Sequence, residues 1–195
     1  MKYYAELDLD IPLLNSNIKI GDIPKIVTAQ LPLEYLNPDI LKLFDSLGLN
    51  IFVLRLFFRA KGSFSYIHCD LTPVNLDFTR INWVYGGKAK MSWFNLKPNE
   101  ESIPQDQTYD NVPYQCYSHD QVEEVDQHII TKPTIVQTGC PHLVHDVEED
   151  RYCFSLGYRY KHKEGKPTTE LGWTSIADRP TMEETLIIFK NYITM

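Results

Sequence analysis

The sequence predicts a mainly β protein, a sandwich or barrel of the jelly-roll kind with helices at its flanks. Strand-like runs fill the middle and later part of the chain: Ile51 to Arg59, Phe64 to Asp70, Thr79 to Tyr85, Lys88 to Leu96, Gln121 to Ile130, Thr134 to Gln137 and Arg151 to Tyr160. Turn-forming residues separate them, and apolar residues recur at helical spacing only towards the two ends.

The first element is a short strand around Tyr4 to Leu9. A helix over Leu33 to Leu47 follows, because Leu36, Ile40, Leu41, Phe44 and Leu47 fall on one stripe and Gly48 stops it. Between the third and fourth strands, Tyr85-Gly86-Gly87-Lys88 reads as a tight hairpin, since adjacent glycines supply the positive φ of a primed turn. Asn99 to Ser118, rich in Pro, Asn, Gln, Asp and Tyr, reads as a long loop and a candidate lid carrying Tyr109, Tyr114 and Tyr117. Thr181 to Tyr192 closes the chain as a helix with Leu186, Ile187 and Phe189 apolar.

Composition narrows the class. Hydrophobic residues make up 43% and charged residues 23% of the 195 positions, an ordinary globular balance that permits one core. No repeat, low-complexity tract or linker divides the chain, so residues 1–195 are expected to form a single domain. A net charge of −7 offers no basic field for nucleic acid. The most apolar run, Ile51 to Phe58, is broken by Arg55 and too short for a bilayer, and the start of the chain lacks the features of a secretory signal. A cytoplasmic setting is expected, with Cys69, Cys116, Cys140 and Cys153 as reduced thiols because none forms a Cys-x-x-Cys pair. Oligomeric state is not readable.

The chemistry concentrates in two segments. In Tyr66-Ile67-His68-Cys69-Asp70 the histidine and the aspartate are two apart on a strand and point to the same side. An imidazole and a carboxylate placed so make two corners of a divalent-metal site; the bland alternative is a surface turn with a capping Asp. A distant histidine would complete a two-His, one-carboxylate set that leaves three positions open on iron. His142 follows a Thr138-Gly139 turn and precedes the strand headed by Arg151, and His142 and His145 are both candidates for that third donor.

Downstream, the strand from Arg151 sorts its side chains sharply. Arg151, Cys153, Ser155, Gly157 and Arg159 share one face, and Tyr152, Phe154, Leu156, Tyr158 and Tyr160 share the other. The second face must pack; the first suits a polar cavity inside a barrel, or else a solvated surface. A guanidinium within such a cavity requires an anionic partner and matches a carboxylate bidentately. Arg55 and Arg59 share a face of an earlier strand and are candidates for meeting an anionic substrate, or else exposed strand arginines. Trp83 and Tyr85 are expected in the core. Of Trp93 and Phe94 one should be buried while the other lines the pocket. His119, His128 and His162 have no ligand spacing.

His68-Cys69-Asp70, then His142, then Arg151 nine positions later with Ser155 on its face, resembles the Fe(II)- and 2-oxoglutarate-dependent dioxygenases, in particular the prolyl hydroxylase-like and phytanoyl-hydroxylase-like branches. The resemblance covers about residues 51–160 and implies a double-stranded β-helix core, cupin-like in shape. It further implies His68, Asp70 and His142 as metal ligands, and Arg151, rather than Arg159, with Ser155 on the distal carboxylate of 2-oxoglutarate. Asn82, on the strand after the acidic ligand, resembles the family's co-substrate donor, although a strand Asn satisfied by backbone is the plain alternative. Fe(II), 2-oxoglutarate and O₂ are then the expected reactants, succinate and CO₂ the products, and hydroxylation of a small molecule or an amino-acid or peptide side chain the expected outcome. Two rival readings share the fold: a metal-dependent cupin-type isomerase or epimerase, and a non-catalytic binding module.

Overall fold

The computed structural model describes residues 2–70, 79–100, 103–104, 115–161 and 178–194. In chain order the strands are β1 (Tyr4–Glu6), β2 (Thr28–Leu31), β3 (Leu49–Arg59), β4 (Ile67–Cys69), β5 (Thr79–Gly86), β6 (Lys90–Leu96), β7 (Ile103–Pro104), β8 (Gln115–Tyr117), β9 (Val122–Ile129), β10 (Thr134–Gln137), β11 (His142–His145) and β12 (Arg151–Tyr160). The helices are α1 (Pro38–Ser46) and α2 (Met182–Ile188). No described helix is long and apolar enough to cross a membrane.

Two six-stranded antiparallel sheets face each other, ordered β1-β10-β5-β12-β3-β2 and β7-β8-β4-β11-β6-β9. From β3 to β6 and again from β9 to β12 the chain alternates between the sheets, while β6 and β9 pair within the second. That winding is a double-stranded β-helix, the jelly-roll core expected from the strand pattern. β1 and β2 lengthen the first sheet at its edges, and β7 and β8 continue the second beyond β4.

The outer face of the first sheet carries the main core. Leu54, Leu56, Ile81, Phe154, Leu156 and Tyr158 pack there against Ile40 and Phe44 of α1 and against Met182 and Phe189 near α2. Phe44 meets Tyr158 and Phe189 edge-on, with centroids 5.7 and 5.6 Å away, a geometry worth about 0.5–1.5 kcal/mol per pair beyond burial. The opposite face of β12 is thereby free to look inward, as its alternation predicts.

Three expectations need correction. The predicted helix over Leu33 to Leu47 is split: Leu33–Tyr35 is a 3₁₀ turn, and α1 starts at Pro38. Proline has no N–H to continue a preceding turn, and it sits at the first helical position, where Asn37 caps by accepting from the Asp39 N–H at 3.0 Å.

Gly86 and Gly87 do not close a hairpin, because β5 and β6 lie in different sheets. The glycines serve instead a positive φ of 96° at Gly86 and a close approach of two chain segments. A Cβ at Gly86 would lie 2.5 Å from the Asp150 carbonyl oxygen, and one at Gly87 2.6 Å from the Glu149 Cβ.

Finally, the segment read as a long loop contains β7 and β8, and Tyr117 is buried in β8. Tyr109 and Tyr114 of the expected lid lie outside the described residues, as does His162.

Candidate metal centre

His68 sits in the middle of β4 and His142 opens β11; the two are direct cross-strand partners. Partners in an antiparallel pair share a face, and their imidazole centroids stand 4.5 Å apart. Asp70 follows β4 directly, its backbone N–H donating to the Thr138 carbonyl at 3.0 Å. That bond ties the turn after β4 to the segment leading into β11, which brings the carboxylate up to both rings.

Both imidazoles are held the same way. The Nδ1 of His68 lies 2.7 Å from the Tyr66 carbonyl oxygen and that of His142 lies 2.9 Å from the Cys140 carbonyl oxygen, each two residues earlier. A carbonyl can only accept, so Nδ1 carries the proton and the Nε2 lone pair is left to point inward. Such outer bonds fix ring orientation in metal-ligating histidines.

The inward Nε2 atoms lie 3.6 Å (His68) and 3.7 Å (His142) from one Asp70 carboxylate oxygen. Those separations are too long for hydrogen bonds. They match donor atoms on adjacent corners of a metal, since bonds of about 2.1 Å meeting at about 90–120° set donors about 3.0–3.6 Å apart. Among the described residues these three side chains are the group able to hold a metal ion, their donor atoms all within 4.8 Å. Burial, and next the neighbouring His142, pulls the His68 pKa down to about 4, so the ring is a neutral ligand at physiological pH.

The donors open into a cavity of about 160 Å³ between the sheets. Arg151, Ser155 and Asn82 line the same cavity, so all six residues expected at the site meet in one place. Ser155 is the cross-strand partner of Asn82 on β5 and of Arg55 on β3, and Arg151 is the partner of Arg59. Arg151 is 3% exposed and its Nε has no hydrogen-bond partner among the described residues; the same holds for Oδ1 of Asn82. Burial and then the adjacent Arg59 lower the Arg151 pKa. Orphaned polar groups at this depth point to a polar ligand.

Neither alternative residue, His145 or Arg159, lines the cavity. His145 turns to the other side of β11, with Nε2 2.9 Å from Ser92 Oγ and Nδ1 3.4 Å from Asp146. Arg159, eight positions along β12 from Arg151, is not among the residues lining the cavity. Trp93 and Phe94 are both buried, at 0% and 4% exposure, and neither lines the cavity; a register shift between them lets both pack. Trp83 lies in the core, with Tyr85 packed against it, as expected. Sequence reading missed Thr28, Cys116 and Thr138 as lining residues. The first two sit on strands too short and mixed in pattern to be read, and Thr138 lies in the connection between β10 and β11.

Comparison with known proteins leaves the class to this geometry. No protein-family model matches the chain, and no curated protein matches it in sequence. Among solved structures, Escherichia coli YcfD aligns over 61% of this chain and 27% of its own, with 16% identity and a TM-score of 0.38. An oxalate oxidase in complex with the substrate analogue glycolate aligns over 82% of this chain and 78% of its own, with 13% identity and a TM-score of 0.34. Peruvianin-I, described as a cysteine peptidase from Thevetia peruviana latex, aligns over 82% and 94%, with 14% identity and a TM-score of 0.33. The chain spans about a quarter of YcfD. All three scores are low, and the jelly-roll assignment rests on strand order. Fold and site define a jelly-roll protein with a candidate His-Asp-His metal centre.

Proposed function

We propose that the protein is an Fe(II)- and 2-oxoglutarate-dependent oxygenase that hydroxylates a C–H bond of a small molecule or an amino-acid or peptide side chain. The observation that carries this reading is the sharing of one cavity by a two-His, one-carboxylate cluster and a buried arginine whose Nε has no hydrogen-bond partner among the described residues. The donor set fits ferrous iron, for which two imidazoles and one carboxylate leave three positions open. Bound iron supplies the activation of O₂ coupled to oxidation of 2-oxoglutarate to succinate and CO₂.

The chain's own residues do the rest. His68, Asp70 and His142 hold the metal, with the Tyr66 and Cys140 carbonyls fixing the two rings. Arg151, aided by Ser155, takes the distal carboxylate of 2-oxoglutarate, where a planar guanidinium gives two parallel bonds. Asn82, the cross-strand partner of Ser155, adds a polar contact to the same molecule. The apolar side chains around the cavity, among them Phe57, Met91 and Val144, exclude water from the reacting atoms.

The test is succinate release from 2-oxoglutarate with Fe(II), screened across amino acids, peptides and lipid-like acids. Turnover that depends on iron and on one added substrate class is expected. A native protein that binds Mn(II) but no 2-oxoglutarate contradicts the reading and leaves a metal-dependent cupin of another activity.

A further inference from the structure

We propose that Arg55 is a second anchor for the distal carboxylate of 2-oxoglutarate, acting beside Ser155 and setting a preference for 2-oxo acids that carry that carboxylate. The proposal rests on the co-substrate reading above. Arg55 and Arg59 share the inner face of β3, where they oppose Ser155 and Arg151 of β12. Arg59 already has an interaction of its own. Arg55 is 6% exposed, and its Nε and Nη1 have no hydrogen-bond partner among the described residues. It is therefore not the exposed strand arginine that the sequence allowed. Arginines are almost never fully buried unless paired, because buried donors without acceptors are costly. Burial of this guanidinium with two idle donors points to an acceptor that arrives with a ligand.

Strand register shows where that acceptor lies. Arg55 is the direct partner of Ser155, and Ser155 is in turn the partner of Asn82, so the three form one row across β3, β12 and β5. Neighbours in such a row share a face and stand about 4.5–5.5 Å apart at Cβ. Ser155 and Asn82 line the cavity, as does Phe57, two positions beyond Arg55 on the same face of β3. Arg55 is thus flanked by the cavity wall both along its strand and across it, and lies beside that wall rather than on it. A turn of its flexible side chain over Ser155 brings the guanidinium to the cavity with the backbone unmoved. Arg151 stands four positions from Ser155, about 13 Å of extended strand. A carboxylate held by both lies between them, and Arg55 closes its Ser155 side, where Ser155 and Asn82 offer polarity but no charge.

Calorimetric titration of Mn(II)-loaded protein tests this with 2-oxoglutarate and with 2-oxopentanoate, which ends in a methyl group in place of the distal carboxylate. The native protein should favour 2-oxoglutarate. Arg55→Gln should narrow that preference at least about ten-fold, the contribution of one charge-assisted hydrogen bond, and leave 2-oxopentanoate binding unchanged. Arg55→Lys, which keeps the charge, should retain most of the preference. Should Arg55→Gln fail to fold, the native protein supplies a second readout. In Zn(II)-loaded protein with isotopically labelled arginine, the Arg55 Nε–H resonance, identified by its loss in Arg55→Lys, should shift with 2-oxoglutarate and stay in place with 2-oxopentanoate. An Arg55→Gln variant with the native preference overturns the proposal, as does one that loses both acids equally, because Arg55 then only supports the fold. An Arg55 resonance unmoved by saturating 2-oxoglutarate overturns it as well. Failure of the native, metal-loaded protein to bind 2-oxoglutarate at all sinks the underlying functional reading and this proposal with it.

Discussion

His68 and His142, 74 positions apart in sequence, are direct partners across β4 and β11, and their rings lie 4.5 Å from each other. One antiparallel pair thereby supplies two of the three donors of the candidate metal site, and Asp70, just past β4, is the third. Each ring is tethered through Nδ1 to a backbone carbonyl just before its own strand, Tyr66 for His68 and Cys140 for His142.

The facing of β11 separates its two histidines. His142→Ala should weaken Mn(II) binding by at least about 100-fold, the upper end of what losing even an outer-sphere partner costs. His145→Ala, which removes a bond to Ser92, should change it by less than about three-fold. Calorimetric titration of the two variants checks this.

Arg151 is predicted to hold 2-oxoglutarate without touching the metal. Arg151→Gln should weaken 2-oxoglutarate binding about 30-fold or more, the consequence of losing a buried charged partner worth at least about 2 kcal/mol. Metal affinity should be unchanged. Equilibrium binding to Mn(II)-loaded protein reads both quantities.

The depressed pKa of His68 makes the metal-free protein sensitive to acid. Its folded value of about 4 lies below the value of about 6.5 for an unfolded histidine. The unfolded chain therefore binds the extra proton first, and stability falls as pH drops from about 6.5 towards about 4. Urea midpoints of the metal-free protein should fall across that window, and His68→Gln should flatten the dependence.

Two glycines of positive φ should respond differently to a methyl group. Gly86→Ala meets both an unfavourable φ and the Asp150 carbonyl, and should cost about 2–4 kcal/mol. Gly62→Ala, at φ 74° with nothing within 4 Å of the new carbon, should cost about 1–2 kcal/mol. Chemical unfolding of both variants measures the difference.

Where period two is strong, the sequence carried the fold. β12 announced both its faces because every second side chain from Tyr152 to Tyr158 is large and apolar while the intervening ones are small or cationic. β11 did not, since His-Leu-Val-His shows no alternation over its four residues, and β2 and β8 are shorter than any reliable pattern. The glycine pair at 86–87 was misread because a primed turn and a close chain approach require the same residue. For the site, spacing pointed to the metal cluster and Arg151, whose facing the structure then supplied. The contributions of Thr28 and Cys116 depend on cross-strand register and on which edge of each sheet closes the cavity, and no local pattern encodes either.

His68, Asp70 and His142 are predicted to meet at one metal ion. Mn(II) titration followed by electron paramagnetic resonance checks this on the native protein and on His68→Ala, Asp70→Ala and His142→Ala. One tightly held ion per native chain, lost in each variant, is the predicted result; an ion held equally well by all three variants contradicts it.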